Sequence, residues 1–77
     1  MTKKMQLARI EDVKAFVRFA MTRDYDMELS SGRYVVDAKS IMGIFSLDLT
    51  RPMVLTAHCD ADAELDAAVA PYLYTEE

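Results

Sequence analysis

Two one-sided apolar stripes at helical spacing, with strand-like segments around them, constrain this chain more than any other feature. Val13, Phe16, Val17, Ala20 and Met21 fall at i, i+3, i+4, i+7 and i+8, while Lys14, Arg18 and Arg23 lie off that stripe. Glu11 and Asp12 in the first turn, with Arg18 and Arg23 later, complement the helix dipole at both ends, so the spacing predicts a helix over Ile10–Asp24. The second stripe is Leu65, Ala68, Val69, Tyr72 and Leu73. Asp60 or Asp62 can cap its start, and Pro71 should end or bend it, because a proline ring clashes with the preceding turn.

Strand-like segments fill the intervals. Met5 and Leu7 alternate with Gln6 and Ala8, which predicts a first strand over Lys3–Arg9. Tyr25–Ser30 and Tyr34–Asp37 read as a hairpin joined by a turn at Ser31, Gly32 and Arg33. Pro52, which has no N–H to donate, suits the start of a last strand running from Met53 to His58, with Val54 on one face and Met53 and Leu55 on the other. The order is β, α, β, β, α, β, α. Two long helices, each apolar on one face only, can cover one face of a four-stranded antiparallel sheet, so a two-layer α+β domain is expected.

The middle helix is the unusual element. Tyr34, Val35 and Val36 suit a strand, whereas Ile41, Ile44, Phe45 and Leu47 recur at spacings of three and four. Ser40 stands where the period changes and is expected to be the N-cap of a two-turn helix over Ile41–Leu47, worth about 1 kcal/mol over alanine. A helix this short needs packing to persist. Yet Ile41, Met42, Ile44, Phe45 and Leu47 are more apolar residues than one stripe of two turns can bury. With Ile44 and Leu47 as the inward pair, Ile41, Met42 and Phe45 form an exposed apolar patch beside the serine, the kind of surface that marks a partner; the alternative is that Phe45 folds into the core.

Composition narrows the function. At 77 residues the chain is expected to be a single domain, residues 1–77, with a small core and no linker or repeat. One cysteine cannot close an internal disulfide, which suits a reducing cytoplasm, and no apolar run approaches a membrane span. Nine basic against thirteen acidic residues give a net charge of −4, which disfavours nucleic acid as the main partner. His58 and Cys59 are adjacent and would face opposite sides of a strand, so neither a Cys–His nucleophile nor a metal site is expected there. Asp60, Asp62 and Glu64 lack the spacing and glycine of a calcium loop.

Ala38, Lys39, Ser40, Ile41, Met42 and Gly43, followed by Ser46 and Leu47, resemble the serine-site motif of the HPr phosphocarrier family of the bacterial sugar phosphotransferase system. The element order is also that family's, so the resemblance spans the chain and implies an open-faced β-sandwich of HPr-like type. It implies that Ser40 matches the serine phosphorylated by HPr kinase/phosphorylase in Gram-positive bacteria, and that Ile41, Met42 and Phe45 match positions presented to partners. Lys39 either assists phosphate binding or is a solvated strand-end charge. A phosphate at a helix N-terminus is favoured by free N–H groups and the dipole, so modification need not break the helix.

The resemblance stops where the family's chemistry begins. HPr proteins carry a phosphoryl-accepting histidine, followed by arginine and proline, at the start of the first long helix; here the region reads Arg9, Ile10, Glu11, Asp12, Val13, Lys14. Glu11 and Asp12 reverse the charge that phosphoryl transfer through an imidazole needs. The expectation is therefore a histidine-less regulatory or binding module, similar to the catabolite-repression members of the family, acting through the Ser40 region. It is not expected to be an enzyme or to need a cofactor. Its expected partners are cytoplasmic proteins, HPr kinase/phosphorylase or a transcription regulator among them. The alternatives are a phosphocarrier with a non-histidine acceptor, and a degenerate domain that keeps the motif only for folding.

Overall fold

Residues 1–74 are described in the computed structural model of the chain. The order is β1 (Thr2–Met5), α1 (Ile10–Ala20), β2 (Met27–Ser31), β3 (Tyr34–Asp37), α2 (Ile41–Phe45), β4 (Met53–Ala57) and α3 (Ala63–Val69), followed by a 3-10 turn at Ala70–Tyr72. The four strands form one antiparallel sheet in the order β1-β4-β2-β3. This is the expected α+β arrangement.

Strand alternation sorts the two faces. Met5, Met27, Leu29, Met53, Leu55 and Ala57 are buried, and they face Val13, Phe16, Val17 and Ala20 of α1, Ile44 of α2, and Leu65 and Val69 of α3 in one core cluster. The other face of the sheet carries Thr2, Lys4, Glu28, Ser30, Val35, Asp37, Val54 and Thr56, none of them buried. Period-two burial on one side only is what an antiparallel sheet with one solvated face requires.

Several boundaries fall short of the expected ones, each for a physical reason. β1 ends at Met5 rather than Arg9, since its last partner is Met53 and the preceding Pro52 has no N–H to continue the ladder. Leu7 is nevertheless buried, and Gln6 N–H donates to the Tyr72 carbonyl at 2.8 Å. α1 ends at Ala20 rather than Asp24 because the next turn tightens: Thr22 N–H donates to Phe19 O at 2.9 Å and Arg23 N–H to Ala20 O at 3.1 Å. β2 begins at Met27, since Tyr25 turns its hydroxyl to Asp62 instead of entering the sheet. β4 stops at Ala57, one residue before His58. α3 stops at Val69, and Pro71 lies inside the following 3-10 turn, the bend its ring predicts.

Candidate functional site

The candidate site is the start of α2 and what holds it. Ser40 has extended backbone, and its Oγ accepts the Gly43 N–H at 3.1 Å, so the predicted cap is present. The Ser40 carbonyl also accepts Ile44 N–H at 3.0 Å, and Ser40 N–H donates to Asp37 O at 3.0 Å, which fixes the serine between strand and helix. α2 is shorter than expected and ends at Phe45, with Ser46 N–H reaching back to Met42 and Gly43 carbonyls.

The apolar residues of α2 separate as the sequence requires, with one difference. Ile44 and Leu47 are buried, the expected inward pair. Met42 is 76% exposed and Phe45 38%, so Phe45 does not fold into the core, but Ile41 packs partly against it. The exposed surface is therefore centred on Met42, with Phe45 at its side. No charged residue occurs between Ile41 and Ser46.

Gly43 and Lys39 have roles that their spacing did not announce. A Cβ at Gly43 would stand 3.2 Å from Ser40 Oγ and 3.3 Å from Val36 Cβ, so its absence lets the helix sit down on β3 and lets the cap form. A glycine inside a helix costs about 1 kcal/mol against alanine, and that cost was the available signal of a packing role. Lys39 Nζ donates to the Arg23 carbonyl at 2.8 Å, tethering the approach to Ser40 to the end of α1.

That end of α1 belongs to a polar cluster which sequence reading did not assemble. Asp62, the N-cap of α3 through Oδ1 to the N–H groups of Glu64 and Leu65, turns Oδ2 toward Tyr25 and Arg23. Tyr25 Oη donates to it at 2.7 Å and Arg23 Nη1 lies 3.2 Å away; Arg23 Nη2 is 3.5 Å from Glu64. The Tyr25 bond first, then Arg23 and the helix N–H groups, hold the Asp62 carboxyl down at about 2 against the opposing cost of partial desolvation. Burial, and next the bond to Asp62, push the Tyr25 hydroxyl well above its ordinary value. Ser40, Lys39, Arg23 and Asp62 are thus linked in series from the start of α2, past the end of α1, to the start of α3.

At the start of α1 stand Arg9, exposed Ile10, and Glu11 and Asp12 in the first turn, with Arg9 Nε 3.7 Å from Asp12. His58 is far from them. It follows β4 at the end paired with the start of β1, whereas α1 begins beyond the other end, a separation of about 17 Å along five residues of strand. His58 Nε2 lies 3.3 Å from Glu28, while Cys59 packs beside the core; both follow the end of β4 and do not lie on the strand, contrary to expectation. Among the described residues no group of three or more His, Cys, Asp or Glu is placed to hold a metal, and no helix is long and apolar enough to cross a membrane.

Comparison with solved structures places this fold. The phosphocarrier protein HPr from Bacillus anthracis strain Ames superposes with a TM-score of 0.71 at 28% identity, covering 94% of this chain and 95% of that one. The chain has an HPr-like fold. HPr-C-His from Thermoanaerobacter tengcongensis superposes with a TM-score of 0.75 at 23% identity, covering 92% of this chain and 88% of that one. No protein-family model and no curated protein sequence matches this chain. The HPr-like fold thus surrounds a first helix whose opening residues include no histidine.

Proposed function

We propose that this HPr-like chain is a regulatory binding module that works through Ser40 and the solvent-facing surface of α2, and not a carrier of phosphoryl groups on histidine or an enzyme. The observation that carries the reading is a conjunction on one short helix: a capping serine whose Oγ accepts the Gly43 N–H, and two residues on, a methionine 76% exposed with no charge nearby on the helix. A methionine surface adapts to several partners, which suits recognition. A phosphate on Ser40 would add a charge of about −1.5 to −2 at the rim of that uncharged surface, so its effect falls on docking. Glu11 and Asp12 at the α1 start disfavour the phosphocarrier alternative, because they repel an incoming phosphoryl group.

The matching partners are cytoplasmic proteins: HPr kinase/phosphorylase as the modifying enzyme and a transcription regulator as the reader. In this reading Met42, Phe45 and the exposed part of Ile41 make the contact, and Lys39 flanks it. Incubation with ATP and HPr kinase/phosphorylase from the same host should place one phosphate on Ser40, seen by intact mass and site mapping and lost in Ser40→Ala. That variant should lose about 1 kcal/mol of capping stability and remain folded. Met42→Asp should reduce retention of the partner without moving the unfolding midpoint. Absence of phosphate on Ser40 together with unchanged retention by Met42→Asp would overturn the reading.

A further inference from the structure

The two edges of the sheet are treated differently. The outer edge of β1 is covered by the chain's own C-terminal segment: Gln6 N–H donates to Tyr72 O at 2.8 Å, Tyr74 N–H donates to Lys4 O at 2.9 Å, and Met5 bridges Leu73. The outer edge of β3 has no such cover among the described residues. Tyr34 is 72% exposed and Val35 61%, and the strand carries no proline, lysine or bulge of the kind that blunts an edge.

The hairpin register determines which backbone groups β3 offers. The two-residue turn closes on the Ser31–Tyr34 pair, so Tyr34 and Val36 direct their N–H and C=O groups to β2, and Ala38 N–H continues that alternation to Met27 O at 3.0 Å. Val35 therefore points both of its groups outward, while the Asp37 carbonyl accepts Ser40 N–H at 3.0 Å. Outside the β2–β3 ladder, no described residue bonds the Val35 backbone.

The segment Arg33–Asp37 is self-complementary in this register. A two-fold axis at Val35 pairs Val35 with itself, Tyr34 with Val36 and Arg33 with Asp37, which are an aromatic–β-branched pair and an opposite-charge pair, each made twice. An axis one residue later, at Val36, would set Arg33 against Lys39. The charge pattern thus favours the Val35 axis over that one. Arg33 has no ion pair among the described residues, and Asp37 stands opposite a like charge, Glu28 of β2, which His58 Nε2 approaches at 3.3 Å; of the Asp37 oxygens only Oδ1 is engaged, by Lys39 N–H at 2.9 Å. A guanidinium brought in from outside would relieve that repulsion.

We propose that β3 is a pairing edge for a second copy of this chain, joined antiparallel about Val35 with Arg33 of each copy against Asp37 of the other. The two sheets become one, and the Ser40 surface belongs to a dimer. The interface is small, so the dimer is reversible.

Sedimentation velocity of the full chain from micromolar to millimolar concentration tests this. The wild type should shift from monomer to dimer. Arg33→Glu alone and Asp37→Lys alone should each weaken association by about tenfold or more, because each sets like charges together twice per dimer. An equimolar mixture of the two variants should dimerise again, since every pair is then opposite in sign. Val35→Pro should abolish the dimer by removing an outward N–H while leaving the β2 ladder intact. If that variant fails to fold by circular dichroism, the mixture still decides. A wild type that stays monomeric at millimolar concentration would overturn the proposal, as would a dimer that the charge variants do not weaken or their mixture does not restore.

Discussion

At the scale of single residues, the Asp62 carboxylate joins Tyr25, Arg23 and the start of α3. Ser40 was legible as a cap because the hydrophobic period changes at that residue, and capping depends only on the next three positions. The Lys39 tether to Arg23 and the Tyr25 bond to Asp62 join residues 16 and 37 positions apart, and nothing in local composition pairs them. The Asp62 cluster has a measurable consequence. Its folded pKa lies below the ordinary 3.8, so the stability it supplies is present above that pH and is lost as pH falls toward about 2. Asp62→Asn should flatten the fall of the thermal midpoint across that window while still capping α3. Tyr25→Phe should flatten it in part, since the Tyr25 bond is the largest cause of the shift. An acid limb unchanged in both variants would assign the acid sensitivity to other carboxylates.

At the scale of elements, existence and order followed from periodicity, whereas ends were set by neighbours. β1 stopped where Pro52 could offer no N–H, and α1 stopped where its last turn tightened toward Lys39 and Asp62. The β2–β3 turn was expected from Ser31, Gly32 and Arg33, and the structure confines it to two residues, with Gly32 at φ +59 as the residue of positive φ among those described. Open space surrounds the Gly32 Cβ position, so a substitution there meets only the backbone penalty. Gly32→Ala should cost about 1 kcal/mol in urea unfolding, because a left-handed conformation crowds Cβ against the carbonyl. Gly32→Asn should cost less, since asparagine tolerates that region, and Gly32→Val more. A cost that does not follow this order would mean that side-chain contacts, and not backbone conformation, govern the turn.

For the whole molecule, one small core holds every element, so stability should respond as a unit. A domain of this length has roughly 4–12 kcal/mol to lose by the usual per-residue range, and Leu29→Ala, at a fully buried position in the sheet, should remove about 2–5 of it. The denaturation midpoints followed by far-ultraviolet circular dichroism and by tyrosine fluorescence should fall together; separate transitions would mean that the helices or the hairpin unfold independently. The sequence by itself determined the α+β class, the element order, the capping serine and the inward pair Ile44 and Leu47, because each rests on spacing within a few residues along the chain. Only the tertiary structure decided that Ile41 turns partly inward while Met42 stays out, that Gly43 seats α2 on Val36, and that β3 is left as the uncovered edge. Those outcomes depend on which surfaces meet in space, and a short helix or an edge strand takes its exposure from the elements packed against it.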